Sequence, residues 1–288
     1  MKKRESVMEY YDVHNHFFWQ GPLEAAKEFY GHFKGLVGVS LIIIEEAPSD
    51  WNEVKLLVPK AYHDIITVEM IKVQRKAFRL NEVLEELFIF PFLDTRFFRS
   101  HHVKDLMNYL EQEYLGVKVL YIPEEDETIG VEGWENVFGR SVRKSEQMIA
   151  DMIETCDRLN VPVLFHADLK RYNDFVCDLI RAYPKTRFNV PHFGQSRKMM
   201  ATVLESYPNC YTDFSSLLPY MKQTPKAYRD FIEAFSNRIM FGSDAIFYRP
   251  DMLKEYVEFI ESLFDGALLK KIVHDNYRCF HGLNPDGL

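Results

Sequence analysis

The chain has 288 residues, of which 47% are hydrophobic and 27% charged, and a formal net charge of −8. This length fits one large domain or two small ones with a substantial buried core. The acidic balance argues against a nucleic-acid footprint, which would be basic, and the longest apolar run, residues 36–44, is far too short to span a membrane.

Short apolar runs alternate with amphipathic segments along the whole chain. The basic start, residues 1–6, leads into Met8-Glu9-Tyr10 with no apolar signal core behind it. The first run, residues 10–18, contains Asp12-Val13-His14-Asn15-His16. Residues two apart in a strand point the same way. Strict alternation therefore puts Asp12, His14 and His16 on one face and Val13, Asn15 and Phe17 on the other. Two adjacent imidazoles repel when protonated and coexist when both are neutral and share a cation. As a lone pair they are a weak motif.

The next runs are residues 36–44, 88–97, 115–122, 161–166, 187–192, 210–214 and 238–243. Both faces are rich in Val, Ile, Leu and Phe, as in parallel strands covered by helices. Apolar residues at three- and four-residue spacing predict helices over 145–159, 174–182, 197–206 and 226–235. A further helix is expected to open at Pro250 and run to Leu263, and a last one covers 268–277. Residues 50–87 carry extra helix after the second strand. Residues 124–140 read as an irregular loop, of the kind that serves as a lid or an oligomer contact, so a homo-oligomer is compatible with the sequence.

Eight strand–helix units in 288 residues predict an α/β fold of the (β/α)8 TIM-barrel type, one domain over residues 1–288. The competing doubly wound sheet usually shows a glycine-rich first turn, and Trp19-Gln20-Gly21-Pro22 is not one. The four cysteines, Cys156, Cys177, Cys210 and Cys279, form no Cys-x-x-Cys pair, which fits reduced thiols in a cytoplasmic protein.

The polar residues fall at strand ends. The fifth run ends on His166, the sixth on His192, and the eighth leads into Gly242-Ser243-Asp244. In a barrel the C-terminal strand ends meet at one rim, where active sites sit. His14, His16, His166, His192 and Asp244 are therefore expected to converge. Imidazole nitrogen and carboxylate oxygen suit zinc and similar divalent cations. Singly, each residue has a bland reading: a hydrogen-bonded core histidine, or for Asp244 a helix cap. The joint placement favours a metal site.

Those pieces, His14-Asn15-His16, Leu164-Phe165-His166-Ala167-Asp168, Val190-Pro191-His192-Phe193-Gly194 and Met240-Phe241-Gly242-Ser243-Asp244, resemble the amidohydrolase superfamily of metal-dependent barrels. The pattern is most similar to the amidohydrolase 2 branch, which includes aminocarboxymuconate-semialdehyde decarboxylase and several lactonases. The resemblance implies that His14, His16, His166 and Asp244 bind one divalent metal, usually zinc, and that His192 lies beside it. It also implies Asp244 and His192 as catalytic residues. Phe17-Phe18-Trp19 is bulkier than the family's usual stretch, either narrowing the pocket or packing under a loop.

Lys118 is anomalous inside an apolar strand, where a lysine is costly unless paired or functional. It holds a substrate carboxylate, carries a carbamate that bridges a second metal as in other amidohydrolases, or pairs with an acid lower in the barrel. Arg96, just past the third strand, either grips an anion or is a surface arginine. His101-His102 reads as a solvated helix start, and His32, His63, His274 and His281 are given no role.

The expected reaction is hydrolysis of an amide, ester or lactone of a small, carboxylate-bearing substrate by a metal-activated water, with Asp244 handling the proton. Non-oxidative decarboxylation of a small unsaturated or aromatic acid is the alternative from the same parts. A non-catalytic binding barrel is a third reading, and the five filled polar positions speak against it. The expected partner is a small molecule, with no nucleic acid and no membrane.

Overall fold

A computed structural model describes residues 8–19, 21–30, 33, 35–247 and 249–283. His32 and the basic start of the chain lie outside these residues. Nine parallel strands form one sheet: β1 (Tyr10–His16), β2 (Leu36–Ile44), β3 (Phe88–Asp94), β4 (Gly116–Leu120), β5 (Val163–His166), β6 (Phe188–Val190), β7 (Cys210–Asp213), β8 (Ile239–Met240) and β9 (Ala245–Ile246). Their order is β8-β7-β6-β5-β4-β3-β2-β1-β9. β8 pairs with β7 and β9 pairs with β1. The single run expected over 238–243 is thus two short strands broken at Gly242-Ser243-Asp244. The segment 239–246 closes the (β/α)8 barrel, helped by the Val13 N–H donating to the Phe241 carbonyl and the Asp244 N–H to the His14 carbonyl.

Alternation sorts the side chains. On β4, Val117 and Val119 pack outward against the helices, so Gly116, Lys118 and Leu120 face the barrel interior. The ring of Phe92 fills the space where Gly116 lacks a side chain, and a Cβ there would lie 2.3 Å from it. Gly38 makes the same room for Tyr11. Inside the barrel, Tyr11, Val13, Ile42, Phe90, Phe92, Leu164 and Met240 pack on Tyr277 and Phe280 of the C-terminal helix. This plug seals the N-terminal end, which leaves the C-terminal end for chemistry.

Helices 197–206 and 250–263 match their sequence periodicity residue for residue. Others start earlier than expected, at Val142 and Leu169, where Ser141 and Asp168 cap the first turns. The C-terminal segment is not one helix. A π turn over Lys271–Asp275 separates Gly266–Lys270 from Asn276–His281. Residues 51–82 form two short helices and two 3-10 segments, and residues 124–140 include an isolated bridge and the helix Trp134–Phe138. Among the described residues, no helix is long and apolar enough to cross a membrane. His102 is not on a solvated face: its Nε2 lies 3.0 Å from Asp151 Oδ2.

Candidate metal centre

The strict alternation expected for the first strand fails at one point. Asp12 pairs with Val39 and Asn15 with Leu41, so β1 carries one extra residue there, a bulge that re-aims side chains. Tyr11 and Val13 face the barrel interior before it, and His14 and His16 line the pocket after it. Asp12 leaves that face. Its buried carboxylate accepts from the Ser243 N–H at 2.9 Å, the Ser243 hydroxyl at 2.5 Å, and the His14 N–H at 3.1 Å. It ties β1 to the break between β8 and β9. Burial raises its pKa to about 6 even though Ser243 opposes the shift.

His14, His16, His166, His192 and Asp244 line one inner chamber of about 60 Å³. The Nε2 atoms of His14 and His16 each lie 3.2 Å from Asp244 Oδ1. Ligating atoms of His14, His192 and Asp244 all fall within 4.8 Å of one another. The His166 ring centroid is 5.0 Å from that of His192. His192 therefore belongs, with His14 and Asp244, to a group of donors close enough together to hold one ion. The donor chemistry fits a divalent first-row cation. Bonds of about 2.0–2.1 Å to tetrahedral ligands put neighbouring donors roughly 3.4 Å apart, close to the 3.2 Å separations here.

The local backbone aims these groups. His192 and Asp244 have φ of 56° and 57°, in the left-handed region where a non-glycine residue costs of order 1–2 kcal/mol. Each turns the chain sharply at a strand end. Asp213, at the end of β7, and the nearby Ser215 hold the imidazoles from behind. Asp213 accepts from Asn189 Nδ2 at 2.7 Å and from the His192 N–H at 3.3 Å. His192 Nδ1 lies 2.7 Å from the Ser215 carbonyl, which can only accept, so that nitrogen carries the proton. His14 Nδ1 is 3.0 Å from Ser215 Oγ and 3.7 Å from Asp213 Oδ2. Because the Ser215 hydroxyl donates to Asp213 Oδ1 at 2.5 Å, it accepts from His14 Nδ1, and both rings are held with Nε2 unprotonated, as ligands are.

Electrostatics agree. Burial, and then Lys118, push the His14 pKa down to about 4. Burial likewise lowers His16 and, further, His166. Neutral imidazole is the binding form. Burial alone would raise Asp213 and Asp244, but the surrounding histidines outweigh it and hold both below the usual carboxylate range.

Lys118 points into the chamber, its Nζ 3.4 Å from His14 Nε2. Burial lowers its pKa to about 8 against the pull of Asp244 and Asp94. Among the described residues no carboxylate lies within 4 Å of it, so the paired-lysine reading is not seen. Arg96 is buried rather than superficial. It donates from Nε and Nη2 to Asp94, at 2.9 and 2.5 Å, and from Nη1 to the Leu57 carbonyl at 2.8 Å. It still lines the chamber. Phe18 narrows the pocket, while Phe17 and Trp19 pack on Phe247, so the bulky stretch does both things expected of it.

Three further residues had no place in the sequence reading. Asp213 follows the same strand-end rule as His166 and was legible in Cys210-Tyr211-Thr212-Asp213. Ser215 follows it in a turn. Tyr62, from the insertion after β2, lines the chamber; the Asp244 charge, then burial, raise its pKa, so the phenol stays protonated. No pattern in the sequence marks Tyr62.

Solved structures resemble the fold at low identity. A protein from Agrobacterium tumefaciens aligns with a TM-score of 0.58 at 12% identity, over 96% of this chain and 97% of that one. A TatD-like protein from Archaeoglobus fulgidus gives 0.56 at 16%, over 95% and 100%. An L-hydantoinase from Arthrobacter aurescens gives 0.56 at 9%, over 97% and 72%. No curated protein matches the sequence. The family model described as amidohydrolase matches residues 103–278, which run from the helix after β3 into the C-terminal plug helix and include His166, His192 and Asp244. With more than half its length so matched, this metal-dependent hydrolase fold belongs to the amidohydrolase family.

Proposed function

We propose that the protein hydrolyses an amide, ester or lactone bond in a small carboxylate-bearing substrate, with a zinc ion held by His14, His16, His166 and Asp244 and with His192 beside it. One observation carries this reading: two neutral imidazole nitrogens from neighbouring positions of β1 converge on a single oxygen of Asp244 at the floor of a pocket. A divalent cation bound there supplies Lewis acidity to a water molecule and to the carbonyl under attack. Asp244 takes the proton of the attacking water and passes it to the leaving group. His192, fixed through Nδ1, presents Nε2 to the reacting atoms. Tyr62, protonated, donates a hydrogen bond to the negative charge that develops on the carbonyl oxygen.

Lys118 and Arg96 hold the substrate carboxylate. Arg96 has one N–H left on each terminal nitrogen once Asp94 and Leu57 are served. The four cysteines form no disulfide, which suits a cytoplasmic location. Decarboxylation keeps one supporting observation, the aliphatic lining of the chamber by Val58, Ile66, Leu120, Ile129, Val131 and Ile246. Metal analysis of the purified protein, followed by a screen of lactones, N-acyl compounds and aromatic carboxylates with product and CO₂ followed together, tests the choice. Hydrolysis products appear without gas; CO₂ released without water consumed overturns the hydrolase reading.

A further inference from the structure

The inner chamber opens into an outer cavity of about 800 Å³ that shares Tyr62, His166, His192 and Asp244 with it. Three cations line this outer cavity: Lys60 from the insertion after β2, Lys170 from the first turn after β5, and Arg197 from the first turn after β6. Among the described residues, no carboxylate lies within ion-pair distance of any of the three. Elsewhere on the surface Arg171, Lys222, Lys226, Arg229 and Arg249 each sit against an acid; what distinguishes Lys60, Lys170 and Arg197 is that all three line one cavity continuous with the metal centre. Arg171 is the instructive neighbour: it turns to Glu124, while Lys170 beside it lines the cavity. Arg197 is held flat, its guanidinium carbon 4.1 Å from the centroid of the Tyr228 ring, a stacking that leaves its in-plane N–H groups available. The acids on this cavity are Glu127 and Asp244, and Asp244 is committed to the metal centre.

On a chain of net charge −8, three cations from three different connections, facing one cavity without acid partners, form a local positive field. We infer that the outer cavity binds a second, distal anionic group of the substrate, a carboxylate or a phosphate, with Lys60, Lys170 and Arg197 as its recognition set. The inference deepens the hydrolase reading, because it places the scissile bond in the inner chamber and the acidic end outside it. The substrate is then an extended molecule with charged ends and not a compact apolar one.

The test reads binding, not turnover, so it stands apart from the fate of the hydrolase reading. The zinc-loaded full chain is titrated calorimetrically with inorganic phosphate, with glutarate, and with glutaramide as the uncharged counterpart. At least one anion binds the wild type more tightly than glutaramide, and the tighter of the two identifies the group. The K170M/R197M double variant loses that affinity by about tenfold or more, and K60M, at an exposed position, loses it in part while its circular dichroism stays that of the wild type. Glutaramide is unaffected throughout. Equal binding of glutarate and glutaramide, or unchanged anion affinity in both variants, overturns the inference. Absence of hydrolysis in the substrate screen, with anion binding intact, overturns the reaction and leaves the recognition set standing.

Discussion

The carboxylate of Asp213 holds His192 by its backbone N–H at 3.3 Å and lies 3.7 Å from Nδ1 of His14. One buried acid thus fixes the backbone of His192 and stands behind the imidazole of His14, two residues from strands on opposite sides of the closing seam. Bracing groups behind metal ligands fix the tautomer and the ring orientation. Asp213→Asn keeps the shape but weakens the brace, and lowers zinc affinity by about 10–100-fold. Competition with a chromophoric chelator measures it. An unchanged zinc affinity in a folded variant removes Asp213 from the site.

Tyr62 reaches the chamber from an insertion and not from a strand. In the proposed hydrolysis its hydroxyl donates to the developing oxyanion, so Tyr62→Phe lowers kcat/KM by about a hundredfold, mostly in kcat. Zinc content stays at the wild-type level, because the phenol is outside the donor group. A loss confined to KM shows that Tyr62 binds ground and transition states equally and adds nothing to the chemical step.

Metal removal has a thermodynamic signature of its own. A ligand that binds the folded state alone stabilises it by about 2.7 kcal/mol at a concentration one hundred times its Kd. The proposed donors come from β1, β5 and the β8–β9 break, so no unfolded chain presents them together. Chelation therefore lowers Tm, zinc restores it in a concentration-dependent way, and His16→Ala abolishes most of the response. A Tm indifferent to zinc in the wild type places the ion elsewhere.

What the sequence made legible follows from which interactions are local. Apolar runs on both faces located β1 to β8 but not β9, and β2 and helices 197–206 and 250–263 matched at both ends, because burial periodicity is written in the residues themselves. His14, His16, His166 and Lys118 were legible for the same reason: each is a polar residue within or ending an apolar run. The bulge in β1 was not, because an extra residue exists only relative to its partner strand. Nor was the break of the eighth strand, which depends on Asp12 capturing Ser243 from the far end of the chain. Arg96 illustrates the limit well: local context allows an anion grip or a surface arginine, and only the fold brings the distant Leu57 carbonyl to it and buries it.

Acid sensitivity separates the plug from the metal centre. His281, at the N-terminal end of the barrel, packs on Tyr277 and Phe90 with ring centroids 4.2 and 4.7 Å away, and its Nε2 is 3.1 Å from Ser40 Oγ. Burial, then the charge of Arg187, lower its pKa from 6.5 to about 3. The folded protein keeps this imidazole neutral where the unfolded chain protonates it. Its contribution is fully present above pH 6.5 and is lost as pH falls from there toward 3, at a slope approaching about 1.4 kcal/mol per pH unit. Asp12 works the other way, since its folded pKa near 6 means stability lost as pH rises from about 4 to 6. His281→Phe removes the imidazole's share while leaving Ser40 its bond to Tyr277 at 3.0 Å. Urea titrations of the zinc-loaded protein at half-unit steps between pH 4 and 7 then show a shallower fall for the variant by about one proton. Parallel curves for the two proteins mean that His281 titrates normally and that the plug is open to water.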